Sequence, residues 1–172
     1  AAGGPRRLPA LGLWSQPGVF SWDRLDPGTA LLIEQLPALA GRGADFGCGI
    51  GVLAHAVLGA APVSELALID IDRRAIECAR HNISDARARF VWADLRRDMP
   101  ELSELDFAVM NAPFGLDAST AARILRRSTA SAPSSLREIG PWHIGRCCML
   151  AKRAADHSGK SAASRFFARG GA

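Results

Sequence analysis

The chain has 172 residues, 48% of them hydrophobic, with a formal net charge of +4. That length suits one domain with a real core, and no apolar run is long enough for a membrane span. The first residues lack an apolar h-region, so no secretory signal is expected, and a start at Ala1 fits a processed or partial chain. Cys48, Cys78, Cys147 and Cys148 form no C-x-x-C pair and no His spacing for zinc, which points to reduced thiols in a cytoplasmic protein and to no metal. The charge is asymmetric. Residues 1–114 carry 11 Arg against 14 Asp or Glu, whereas residues 115–172 carry 10 Lys or Arg against three acids.

Residues 1–17, rich in Gly, Pro and Ala, read as a flexible lead in which Trp14 decides nothing by itself. From Gly18 to Thr29 the text becomes specific, and Asp26 or Thr29 is a candidate cap for a helix through Leu31, Leu32, Ile33 and Leu36, closed by Pro37 and Gly41. The apolar stretch Gly43–Phe46 reads as a buried strand. It runs into Gly47, Gly49 and Gly51 and then a helix through Leu53, Ala54, Ala56, Val57 and Leu58. Glycine serves where the backbone takes unusual dihedrals or where a ligand approaches it closely, and such a turn directs N–H groups at whatever lies over the helix start. Dinucleotide turns run G-x-G-x-x-G and seat a pyrophosphate. Here the spacing is G-x-G-x-G, with Asp45 where a pyrophosphate is unwelcome, which disfavours a nicotinamide-dependent oxidoreductase.

Glu65–Asp70 is the next strand, and its terminal acid lies about twenty residues past the glycine turn, where a carboxylate can accept both hydroxyls of a ribose. Asp72 is better placed to cap the helix through Ala75, Ile76, Ala79 and Ile83. Arg89–Asp94 reads as a third strand whose Asp94 can accept from an adenine amino group. Leu105–Met110 is a fourth, delivering Asn111, Ala112, Pro113 and Phe114. Strands alternating with helices imply an α/β fold, a doubly wound parallel sheet with helices on both faces and a ligand site at the carboxyl ends of its strands. Asp45, Asp70, Asp94 and Asn111 all fall at such ends.

Motif by motif, residues 18–114 resemble class I S-adenosylmethionine-dependent methyltransferases of the methyltransferase small domain group, in particular the catalytic domain of ribosomal small-subunit RNA guanine-N2 methyltransferases. The matching pieces are G-V-F-S-x-D-x-L-D-x-G (Gly18–Gly28), D-F-G-C-G-I-G-V-L (Asp45–Leu53), the L-I-D strand end (Leu68–Asp70) and N-A-P-F (Asn111–Phe114). The resemblance implies a Rossmann-like fold and S-adenosylmethionine as cofactor. Its methionine end would lie on Asp45, Gly47, Cys48, Gly49 and Gly51, its ribose on Asp70 with Ile71, and its adenine on Asp94 with Leu95. It implies ribosomal RNA or a ribosomal subunit as partner. A guanine amine would be held by the Asn111 amide oxygen and the Ala112 carbonyl, with Pro113 shaping the loop and Phe114 stacking on the base. Related N-P-P-Y/F enzymes act on adenine N6 or a glutamine amide, so the motif reports a planar nitrogen better than it reports guanine. The family's first proline is Ala112 here; alanine keeps the carbonyl but loses the fixed φ, and weaker activity is expected. Family members often carry a degenerate second domain ahead of the catalytic one, for which this chain has no room.

After Phe114 the character changes. Valine is absent from residue 115 onward, and Ser/Ala/Arg stretches replace the β-branched, alternating runs that would finish the sheet. The sheet is therefore expected to be irregular after its fourth strand, with an exposed edge. The division expected is a lead (1–17), a cofactor-binding core (18–114) and a basic segment (115–172). On composition that last segment reads as a shifted frame in a GC-rich gene, with an RNA-binding tail as the rival. A truncated, inactive domain is the alternative to an enzyme.

Overall fold

The computed structural model describes residues 3–9, 12–97, 100, 102, 105–112, 119–121, 123 and 124, together with the strand backbones 135–139 and 148–152. A six-stranded sheet organises them. Four parallel strands, β3 (Gly41–Phe46), β4 (Val63–Asp70), β5 (Ala88–Trp92) and β6 (Phe107–Asn111), stand in the order β5-β4-β3-β6. The carboxyl ends of β3, β4 and β6 therefore deliver Asp45, Asp70 and Asn111 to one rim.

Strand alternation decides which face each side chain joins. Leu66, Leu68, Phe107 and Val109 enter one apolar cluster, shared with Leu32, Leu53, Val57 and Ile76 of the helices α1 (Pro27–Glu34), α2 (Val52–Leu58) and α3 (Arg73–Asn82). Ala44, Phe46, Ala67, Ile69, Ala108 and Met110 enter a second cluster on the opposite face, closed by Ala121 and Ile124. By the same period of two, Asp45, Asp70 and Asn111 fall on the face of α1–α3, just beyond its apolar layer. Gly43 is fixed by that layer, because a Cβ there would collide with the Phe107 ring.

Two segments depart from expectation. The lead holds an antiparallel hairpin of β1 (Arg6–Leu8) and β2 (Leu13–Ser15), where a flexible stretch is expected. Three-residue strands carry no periodic signal, and tertiary contacts supply their stability. Asn82, at the end of α3, accepts from the Trp14 N–H at 2.6 Å and donates to the Trp14 carbonyl at 2.9 Å, while the Trp14 ring stacks on His81. Beyond residue 114, where no further strands are expected, the sheet gains β7 (Ser135–Ile139) and β8 (Cys148–Lys152). Strand β8 pairs antiparallel with β6, and β7 with β8. The far side of β6 is thus a paired strand and not the exposed edge that composition implies. Backbone ladders tolerate poor strand formers when a neighbour supplies the template.

Candidate functional site

The glycine turn combines three positive φ values, 71° at Gly47, 54° at Gly49 and 88° at Gly51, a conformation that disfavours any side chain. The three differ in what surrounds them. A Cβ on Gly51 would meet Ile83 at 2.9 Å, so that glycine serves the packing of α2 on α3. Gly49 faces open space, with nothing within 4 Å. The turn does not present a row of N–H groups to a ligand, contrary to the general expectation for a glycine turn. Gly47 and Cys48 both donate to the Ile69 carbonyl, at 2.8 and 3.1 Å, and Gly51 donates to the Cys48 carbonyl at 2.9 Å. The Gly49 N–H donates to Asp70 Oδ2 at 2.8 Å. With those four donors committed internally, the turn makes a poor pyrophosphate cradle.

What surrounds the turn is acidic. Asp45 is buried, and its Oδ2 has no hydrogen-bond partner among the described residues. Burial, reinforced by the nearby Asp70 carboxylate, raises its pKa from 3.8 to about 8, while the Ala54 backbone N–H acts in the other direction. Asp70 takes N–H groups from Gly49 and, at 2.8 Å, from Asp72; burial nevertheless raises its pKa. The Ile71 N–H also acts on it; a carboxylate has about four lone-pair sites, so acceptor capacity remains. Ile71, 54% exposed, and Trp92, 63% exposed, flank it as an apolar shelf, tied by the Trp92 indole N–H to the Ile71 carbonyl at 2.8 Å.

Asp94 lies past the end of β5 and is held by Arg96, whose Nε and Nη2 approach its two oxygens at 2.9 Å each, which lowers its pKa. Leu95, beside it, packs against the second apolar cluster. Cys48 is a buried free thiol, its pKa raised by burial and by Asp45 and Asp70, and it lines the cleft as an apolar group. Among the described residues no group of three His, Cys, Asp or Glu could hold a metal ion.

Asn111 closes β6. Its amide nitrogen donates to Asp26 Oδ2 at 2.7 Å and to Thr29 Oγ1 at 2.8 Å. Ala112 follows, buried; Pro113 and Phe114 lie outside the described residues. Asp26 is the N-cap of α1, accepting the Thr29 N–H at 2.9 Å. It is also the residue sequence reasoning undervalued, because a cap explains its type completely. The segment before it is anchored as well. Val19 is buried with Ile50, Ala75 and Cys78, and the Gly18 carbonyl accepts from Arg74 at 3.0 Å. One cleft results, lined by Phe20, Arg24, Asp26, Asp45, Gly49 and Asn111 among others.

The arrangement is that of an α/β domain whose largely parallel sheet carries acidic strand ends around a glycine turn, with an amide beside them. Residues 10–152 match the sequence pattern of the methyltransferase small domain, and the chain belongs to that family. It is 34% identical over 128 residues to the ribosomal RNA small subunit methyltransferase C of Shewanella oneidensis, covering 74% of this chain and 37% of the relative. The protein of the same name from Shewanella loihica is 40% identical over 122 residues, with 68% and 35% covered. The chain thus spans little more than a third of the length of these curated relatives. Its fold is also that of the T. thermophilus 16S rRNA N2 methyltransferase (RsmC), solved in complex with AdoMet and guanosine. The TM-score there is 0.58 at 19% identity, over 90% of this chain and 50% of that one.

Proposed function

We propose that the chain is the catalytic portion of an S-adenosylmethionine-dependent N-methyltransferase that modifies the exocyclic N2 of a guanine in small-subunit ribosomal RNA. The observation that carries this reading is the convergence, in one cleft, of Asn111 with the unpartnered Oδ2 of the buried Asp45. A buried acceptor without a donor is costly, and a cationic donor from a ligand relieves that cost. The open space over Gly49 leaves room for such a ligand. The donor set therefore fits S-adenosylmethionine, which when bound supplies an electrophilic methyl group on a cationic sulfonium. Asp45, Gly47, Cys48, Gly49 and Gly51 would hold its amino acid end, Asp70 and Ile71 its ribose, and Asp94 and Leu95 its adenine, with the Arg96 pair opening or bridging to admit the amino group.

The chain's own residues would do the rest by positioning. A guanine amine has its lone pair delocalised into the ring and is a weak nucleophile. The Asn111 amide oxygen and the Ala112 carbonyl, each accepting one amine hydrogen, favour the geometry in which that lone pair is free and in line for transfer. Phe114 would stack on the base, which must leave its helix or loop to enter the cleft. The relatives named above for ribosomal RNA small subunit methylation support this substrate class, and a cytoplasmic ribosomal subunit as partner follows from it. Residues 18–114 would form the cofactor-binding core. Residues 115–172 are a basic segment that adds β7 and β8 to the same sheet, and its frame is checked by sequencing the gene and translating the other frames past codon 114.

The direct test incubates the purified chain with methyl-labelled S-adenosylmethionine and naked small-subunit ribosomal RNA, followed by digestion to nucleosides. Labelled N2-methylguanosine is expected, with a loss on the order of 100-fold in Asn111→Ala. Label in N6-methyladenosine, or in a glutamine amide of added protein, would move the reading to that substrate. No transfer to any of these would overturn it.

A further inference from the structure

We infer that Asp26 and Thr29 are positioning residues that lock the Asn111 side-chain amide with its oxygen as the end offered to a substrate; the role rests on the functional reading above. Both amide hydrogens of Asn111 are committed, one to Asp26 Oδ2 at 2.7 Å and one to Thr29 Oγ1 at 2.8 Å, across 85 and 82 residues of sequence. An asparagine amide has two orientations, related by a half-turn, that exchange donor and acceptor. Rotated the other way, Asn111 would set its oxygen against the Asp26 carboxylate, an acceptor facing an acceptor. The Thr29 hydroxyl lies 3.4 Å from the same Asp26 oxygen and donates to it, which turns a hydroxyl lone pair toward Asn111. Asp26 is buried, so the alternative orientation gains no compensation from water.

Gly28 supports the same arrangement independently. A Cβ there would lie 3.0 Å from Asp26 Oδ2 and 3.1 Å from Asn111 Oδ1, so the absence of a side chain leaves room for the amide. The clamp has a chemical consequence. A substrate amine brings hydrogens, and an unlocked amide would spend part of its time presenting its own hydrogens to them. The carboxylate on the far side of the amide also polarises it, placing more negative charge on the oxygen that must accept. The Gly18–Thr29 segment thus acts on Asn111, at the start of the N-A-P-F end, through this triangle.

Thr29→Val is the informative variant, because the cap of α1 runs from Asp26 Oδ2 to the Thr29 backbone N–H and survives it. The first measurement is proton exchange of the Asn111 side-chain amide by nuclear magnetic resonance on the whole chain. Slow exchange in the wild type, accelerated in Thr29→Val and restored in Thr29→Ser, is expected; fast exchange in the wild type would overturn the clamp. This readout needs no substrate, so it separates the clamp from the functional reading, which methyl transfer by the wild type decides. The second measurement is kinetic. Thr29→Val is expected to lower kcat roughly 10- to 100-fold, with recovery in Thr29→Ser and unchanged affinity for S-adenosylmethionine. An unchanged kcat in Thr29→Val would overturn the positioning role.

Discussion

A carboxylate buried beneath a glycine turn, with one oxygen unpartnered and a second carboxylate nearby, is a group waiting for a cation. Asp45 has that position, and burial raises its pKa from 3.8 to about 8. The sign of the linkage follows. A group that holds its proton more tightly when folded favours the fold at low pH and loses that contribution as pH rises through its folded pKa. The ligand-free chain should therefore lose stability between about pH 4 and pH 8, and Asp45→Asn should reduce that slope, Asp70 keeping its own part of it, and leave the variant more stable than wild type at pH 8. Binding runs the other way. The ionised form is the one that pairs with a cationic ligand, so affinity for S-adenosylmethionine should rise toward pH 8, by at most about tenfold per pH unit, and flatten above it. Melting curves and titrations at three pH values check both trends. Parallel pH profiles for wild type and Asp45→Asn would contradict them.

At the scale of elements, β3, β4, β6, α2 and α3 are legible because each combines an apolar run with local punctuation, a glycine turn or an Asp cap, that depends on few distant residues. The structure confirms Asp72 as the cap of α3 and chooses Asp26 over Thr29 for α1. Illegible elements are those held by partners far away in sequence. The hairpin at residues 6–15 depends on Asn82, and β8 on the ladder that β6 offers. Asp26 shows the same limit at the site. Its capping role is written locally, whereas its bond to Asn111 appears only when α1 is laid beside β6. Asn82 also donates to the Ile50 carbonyl at 2.8 Å, so one side chain ties the hairpin, the glycine turn and α3 together. Asn82→Ala should cost about 1 kcal/mol by chemical denaturation, since the exposed Trp14 groups it releases can turn to water. It should also speed hydrogen exchange at the Trp14 amide, and an unchanged exchange rate would mean the hairpin is held otherwise.

For the whole molecule, the rim is assembled from the carboxyl ends of β3, β4 and β6 and the glycine turn, and among the described residues none of its acidic groups comes from beyond β6. The apolar clusters on both faces of the sheet include Phe46, Leu68, Phe107 and Met110, so the support beneath the rim is complete within the described residues. The acidic strand ends and the apolar layers beneath them therefore lie within a chain that covers 37% of its Shewanella oneidensis relative. On the proposed function, the acidic rim binds S-adenosylmethionine. Calorimetric titration of the purified chain tests it most directly. Saturable binding at one site per chain, abolished by Asp70→Ala, is expected, and absence of binding in the wild-type chain would refute cofactor binding by the rim.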